Sequence, residues 1–193
     1  CFAGTDIFDT DLSADLGFQQ SENVSWNSSG GFSVLNPSIY MYYYSSNHYE
    51  WEIDAFKSTN IYASTDFNLQ KISLSLGANF NFIDNYFIFN EASMPVQIGE
   101  ANLIGDAWVS KMFNFGKFHW LTKFSYQYIA DRSRVPLPEF VGYSSLYFKS
   151  PLFHNAMILQ VGFDVKYHSA VYGYAYNPAL SAFYQQTSAK FGN

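Results

Sequence analysis

The sequence is poor in charge, in proline and in cysteine. Charged residues make up 13% of its 193 positions, against 48% hydrophobic and 21% aromatic. A disordered chain shows the opposite balance, with much charge and few aromatics. Lys and Arg number 10 against 16 Asp and Glu, a net charge of −6. So few cations on an acidic chain exclude a phosphate-gripping nucleic-acid surface. The single cysteine, Cys1, excludes an internal disulfide and a paired-cysteine metal site. Long apolar runs are missing as well. Stretches such as Tyr86-Phe87-Ile88-Phe89 fall far short of the roughly 18–20 residues of a membrane helix. A chain like this crosses a bilayer only as a closed β-barrel, because lipid satisfies neither an open sheet edge nor loose backbone.

Aromatics are what the chain has in excess: Phe 20, Tyr 16 and Trp 4. A buried tyrosine hydroxyl needs a partner, so a water-facing fold gains little from so many. Tyrosine suits places with one greasy and one wet end, which are binding surfaces and the two rims of a membrane. The length fits one domain, residues 1–193, with no linker and no internal repeat.

The dominant pattern has period two. It runs through Leu74–Phe82, Phe118–Tyr128 and Met157–Tyr167, and more briefly through Leu12–Phe18, Tyr49–Ala55 and Ile61–Leu69. Alternation of this kind predicts strands, about eight to ten in all. Asp84-Asn85 and Asn114–Lys117 read as hairpin turns. Gln20–Gly31, Asn90–Glu100 and Asp131–Gly142 read as longer polar connections, the last holding Pro136 and Pro138. Ala92–Met112 is the one stretch that would accept a helix. The fold class expected is therefore all-β, an antiparallel up-and-down transmembrane barrel.

Three features favour a membrane barrel over a soluble sandwich. The two longest alternations reach the roughly 9–11 residues of a tilted membrane strand. One face of each strand is aliphatic and aromatic while the other is small, amidic or charged. Tyr40, Tyr42, Tyr43 and Tyr44, with Tyr126, Tyr128, Tyr172, Tyr174 and Tyr176, fall near strand ends as in an interfacial girdle, although cross-strand packing would also account for them.

The last third carries a family resemblance. A Gly162-x-Asp164-x-Lys166-Tyr167 strand leads into a tyrosine-rich segment with Tyr176, Pro178, Phe183, Tyr184 and Gln186. Together with VPLPEFVGYSSLYFKSPLF at Val135–Phe153, this resembles the putative outer-membrane porins of Bacteroidota-type bacteria. The resemblance implies a bacterial outer-membrane location, a barrel and no catalytic residue. Phe191-Gly192-Asn193 reads as a turn between strands, so an internal segment of a longer barrel is expected.

The residues expected to line a lumen are Glu50, Glu52, Asp54, Asp66, Lys123, Asp164 and Lys166. Five acids against two bases predict a mild preference for cations. Other candidates are weaker. His48, His119, His154 and His168 form no metal spacing, and His168 reads as a solvated polar-face residue. Asp6, Asp9, Asp11 and Asp15 lack the glycine of a calcium loop and read as a solvated acidic segment. Ser125 and His119 share a strand without a glycine-framed nucleophile, so no enzyme is expected. Asn23-Val24-Ser25 and Asn27-Ser28-Ser29 match glycosylation acceptors but read as chance in a bacterial envelope protein. Cys1 is the candidate for a lipid anchor, its plainer reading being an ordinary residue exposed by truncation.

The expected function is passive diffusion of small hydrophilic solutes, with no cofactor. The bilayer and other outer-membrane proteins are the expected partners. Two alternatives stay open: a structural or accessory barrel subunit of a larger outer-membrane complex, and a soluble extracellular β-sandwich that binds glycans on its tyrosine-rich loops.

Overall fold

The computed structural model describes residues 9–21, 23–154 and 156–192. Its centre is one sheet of eight long strands: β1 (Thr10–Ser21), β2 (Val24–Leu35), β3 (Ser58–Leu69), β4 (Leu74–Asp84), β5 (Asn102–Phe115), β6 (Phe118–Ile129), β7 (Phe140–Leu152) and β8 (Met157–His168). Each pairs antiparallel with its neighbour in this order. The all-β, up-and-down reading holds. Closure into a barrel is not seen: among the described residues β1 and β8 pair with β2 and β7 only. Strand β8 is accordingly exposed along its whole length, as an edge strand is.

Several local expectations are corrected. Gln20–Gly31 is no polar loop, because β1 and β2 run almost to the turn. Asn27 and Ser29 lie on one face of β2, Trp26 and Gly30 on the other. Asp84-Asn85 does not close a hairpin back onto β4; Tyr86–Phe89 pairs instead with Pro95–Ile98. The region expected to accept a helix forms that strand and β5. The helical turn lies at Ile39–Tyr42. The alternation at Tyr49–Ala55 yields only the short strand Glu50–Glu52, paired with Tyr43–Ser45. Gly116-Lys117 does form a tight turn, with Gly116 at φ +64.

The connections differ sharply between the two ends of the sheet. At one end β1–β2, β3–β4, β5–β6 and β7–β8 are joined by short turns. At the other end lie the long stretches 36–57, 85–101, 130–139 and 169–192. Short turns on one rim and long loops on the other are the habit of outer-membrane barrels. Three of the long stretches fold together into a cap. Trp51, Phe89 and Leu180 form its buried core, with Tyr40, Tyr44 and Tyr184 packed against them. Tyr44 stacks on Trp51 at 4.7 Å, and Tyr40 meets it edge-on at 5.7 Å. The polar ends of these rings are satisfied: Trp51 Nε1 donates to the Tyr40 carbonyl (3.1 Å) and the Tyr40 hydroxyl to the Leu180 carbonyl (2.9 Å). Tyr40 and Tyr44 are thus part of the cap core, while Tyr43 stands exposed.

Asn102 joins cap to sheet. It is the most deeply buried side chain among the described residues. Its Nδ2 donates to the Tyr86 hydroxyl and the Asp131 carbonyl, and its Oδ1 accepts from the Asp131 N–H (3.1 Å).

Candidate functional site: a two-faced sheet

Register decides which residues share a face, since directly paired residues point the same way. One face is apolar across all eight strands. The row Phe18–Trp26–Phe67–Leu76–Val109–Phe124 shows it at successive pairings. These side chains are open: Leu16 is 75% exposed, Phe124 61% and Phe163 63%. Burying one such side chain is worth roughly 1.5–3 kcal/mol. A monomer in water does not leave a face of this size uncovered. Rings gather toward the two rims, with Trp26, Phe113, Phe118 and Trp120 on the short-turn side and Phe82, Tyr126, Tyr128 and Phe140 on the other. In the belt between the rims small residues sit beside larger ones, Ala63 pairing with Phe80 and Gly142 with Phe124, next to Ala78 and Ala107. Even the indole N–H groups of this face find partners on it. Trp26 donates to Thr65 Oγ1 and Trp120 to Ser144 Oγ, both at 2.8 Å. That matters where no water is present to take the bond.

The opposite face is polar and less exposed. One row reads Asp15–Ser29–Ser64–Asn79–Asp106–Gln127 over six strands. Ser29 and Ser64 share a hydrogen bond of 2.5 Å, and Asn79 Nδ2 donates to both Asp106 oxygens at 3.2 and 3.1 Å. A second row passes Asp66, Gly77, Trp108 and Ser125. A Cβ on Gly77 would lie 2.5 Å from Asp66 Oδ1 and 2.8 Å from the Trp108 ring. The glycine therefore lets the indole lie down across its neighbour strand instead of standing up from the sheet. The Lys123 ammonium sits 4.7 Å from the centre of that ring. Gly31 does the same for Tyr62, whose ring would lie 2.5 Å from an added Cβ. The polar face is kept shallow by these two pairs.

Of the seven residues expected to line a lumen, the structure brings Asp66, Lys123, Asp164 and Lys166 to this face. Lys123 and Lys166 flank Tyr143 in one row, and Asp164 lies opposite Ser145. Glu50, Glu52 and Asp54 are exposed in the 36–57 connection, off the sheet. They alternate because their hairpin packs Trp51 into the cap, so the pattern reports a different core. The face gains charges that the sequence reading did not assign to it: Asp11, Asp15, Asp106 and Lys149. Asp106 was missed because β5 carries Ile104, Trp108 and Met112 on its polar side, which breaks the alternation. The charges are sorted by strand. Four carboxylates lie on β1, β3 and β5, while the three ammonium groups lie on β6, β7 and β8, with Asp164 among them.

The remaining candidates scatter. His119 Nδ1 donates to Asn114 Oδ1 (2.6 Å), and the ring stacks on Tyr147 at 5.0 Å. His168 ends β8 on the polar face, while His48 and His154 lie in turns. Asp9 accepts from Asn36 N and Nδ2 (2.7 and 3.0 Å) rather than joining a cation loop. Among the described residues no group of three or more His, Cys, Asp and Glu is placed to hold a metal ion. Cys1 and Asp6 lie outside the described residues.

Comparison with known families gives one match over the whole chain: residues 1–193 fit the family model described as putative porin. A comparison with curated proteins finds no match.

Proposed function

The chain belongs to the putative porin family, and from that premise we propose that its polar face lines a water-filled path across the bacterial outer membrane for small hydrophilic solutes. The family match supports a porin-like outer-membrane role in general. The observation that carries the finer reading is the inversion of the two faces: apolar residues open to the surroundings, polar ones on the less exposed side. In this reading lipid covers the apolar face. Closure brings the free edges of β1 and β8 together, directly or through further strands, because a bilayer tolerates no unpaired edge. Solutes move down their gradients, and the face offers hydrogen-bonding groups with no bond-making step. Five carboxylates against three ammonium groups on the face give a mild cation preference. Conductance in planar bilayers tests this. Ohmic channels with a cation-leaning reversal potential are expected, shifting toward neutral selectivity in Asp66→Asn with Asp106→Asn. Clear anion selectivity, or no conductance from protein that inserts, overturns it.

A second reading draws on the cap. Phe183 (64% exposed), Phe56 (69%) and Tyr176 (52%) stand open on a part of the molecule that already has a packed core. This favours an accessory subunit that meets another outer-membrane protein through its long-loop end. Co-purification at fixed stoichiometry from detergent extracts distinguishes it from a free-standing channel.

A further inference from the structure

The ionic groups are distributed unevenly along the strands as well as across them. The long-connection end carries Glu50, Glu52, Asp54, Asp84, Glu91 and Glu100 with other acids. The short-turn rim is basic. Lys71 lies in the β3–β4 turn, Lys117 in the β5–β6 turn, and Lys111 on β5 between them. No described residue of the four short turns is a carboxylate; Glu22, in the first turn, lies outside the described residues. Lys71 and Lys111 are brought close by contacts between the β3–β4 turn and β5. Met112 N donates to the Ser73 carbonyl at 3.0 Å, and Lys111 Nζ donates to the Ile72 carbonyl, tying the first turn to β5. Two of the stems rest on rings of the rim. Lys111 Nζ lies 5.6 Å from the Phe113 ring centre and Lys117 Nζ 6.0 Å from that of Phe148.

Lys111 is on the apolar face, where a charge is costly unless it reaches a polar layer. It is paired with Leu74 and Thr122, one step along the face from the Leu76–Val109 pair. Those two residues line an open hollow of about 1000 Å³ in the belt between the rims, together with Thr65, Ala78, Ala107 and Gly142. At about 3.4 Å per residue, Lys111 stands roughly 7 Å from Val109 along the strand. An apolar hollow thus ends at the Lys111–Lys71 pair, with Lys117 farther along the same rim. That pairing matches an acyl chain attached to an anionic headgroup.

We infer that this face holds an anionic phospholipid, with an acyl chain in the hollow and its phosphate at Lys111 and Lys71, while Lys117 adds positive charge along the rim. The inference rests on the membrane-embedded reading above and adds a lipid class to it. An ammonium near an anionic lipid surface contributes about 1 kcal/mol. Removal of three corresponds to a loss of about a hundredfold in preference, at tenfold per 1.4 kcal/mol.

The test uses the detergent-purified chain exchanged into nanodiscs of mixed phosphatidylglycerol and phosphatidylcholine. Lipid retained after delipidating washes is identified by native mass spectrometry. Phosphatidylglycerol is expected to be held in preference to phosphatidylcholine. K71Q/K111Q/K117Q is expected to lose that preference and K71R/K111R/K117R to keep it. Ala107→Phe, which fills the hollow, is expected to weaken retention with the lysines intact. Equal retention of the two lipids by the wild type, or an undiminished preference in the glutamine variant, overturns the inference. Should the glutamine variant fail to fold, a salt titration of the wild type decides. A preference that survives molar salt is not carried by these lysines. Detergent-dependent extraction and conductance are scored on the same preparation. The lipid site can therefore fail while the channel reading stands, and the reverse.

Discussion

The cap and the sheet are built from the same kinds of side chain and use them in opposite senses. In the cap, Trp51, Phe89 and Leu180 turn inward and are sealed by Tyr40, Tyr44 and Tyr184, as in any water-facing fold. In the sheet, Trp26, Phe67, Phe124 and Phe163 turn outward, and serines, asparagines and aspartates occupy the side that a soluble protein would fill with hydrocarbon. Hydrophobicity by itself assigns neither location. On the proposed reading the solvent outside each region does so, water around the cap and hydrocarbon around the sheet. Asn102, satisfied on every polar atom at the junction, sits where one regime gives way to the other.

The largest expected effect comes from emptying the cap. Trp51→Ala removes the centre of its core, a change that typically costs about 3–5 kcal/mol. The cap is expected to become protease-sensitive while the sheet keeps its heat-modifiable migration on gels. Simultaneous loss of both would show that the two regions form one cooperative unit. The sheet is tested next, by placing a charge on either side of it. Ala107→Arg on the apolar belt is expected to cost about 2–4 kcal/mol in urea-refolding assays with vesicles. Ser64→Arg on the polar face is expected to stay within about 0.5 kcal/mol. Equal penalties would contradict the two-faced reading. At the junction, Asn102→Ala strands the Asp131 N–H and should cost about 1–3 kcal/mol. Its signature is faster hydrogen exchange in 130–139, with the middle of β5 unchanged.

Acid gives the smallest effect. The Ser133 hydroxyl donates to the Asp131 carboxylate (2.5 Å) and holds its pKa below the usual carboxylate value, assisted by the Arg134 guanidinium. A depressed folded-state pKa contributes stability above the unfolded carboxylate value. That contribution is lost as pH falls through the folded one. The protein's thermal midpoint should therefore drop in this acidic window, and drop less in Ser133→Ala. An unchanged slope in the variant would remove Asp131 from the account.

Much of this was legible before the structure, and what was hidden was hidden for identifiable reasons. β4, β6 and β8 announce themselves because large apolar residues alternate with polar ones without a break. β2 does not, since Ser28 and Gly30 stand on its apolar face. β7 places Tyr143 and Tyr147 on the polar side and Gly142 and Ser144 on the other, which inverts the usual contrast. β5 mixes apolar residues into both faces. Asp66, Lys123, Asp164 and Lys166, expected at a lumen, share one face and come from strands whose alternation is clean. Glu50, Glu52 and Asp54 lie off the sheet because alternation records one-sided burial without saying which interior does the burying. The role of Gly77 beneath Trp108 has a trace in sequence, a lone glycine inside a strand pattern, but its partner became visible only with the register.

Every pairing in the sheet joins strands that follow one another in the chain. No strand reaches past its neighbour, so the sheet works as a tape of hairpins. Duplicating or deleting one hairpin at a short turn leaves every other register untouched and changes the width by two strand spacings, about 10 Å. In such an architecture the bore of a channel is a matter of counting, and its lineage can retune gauge by unequal crossing-over without redesigning a single interface.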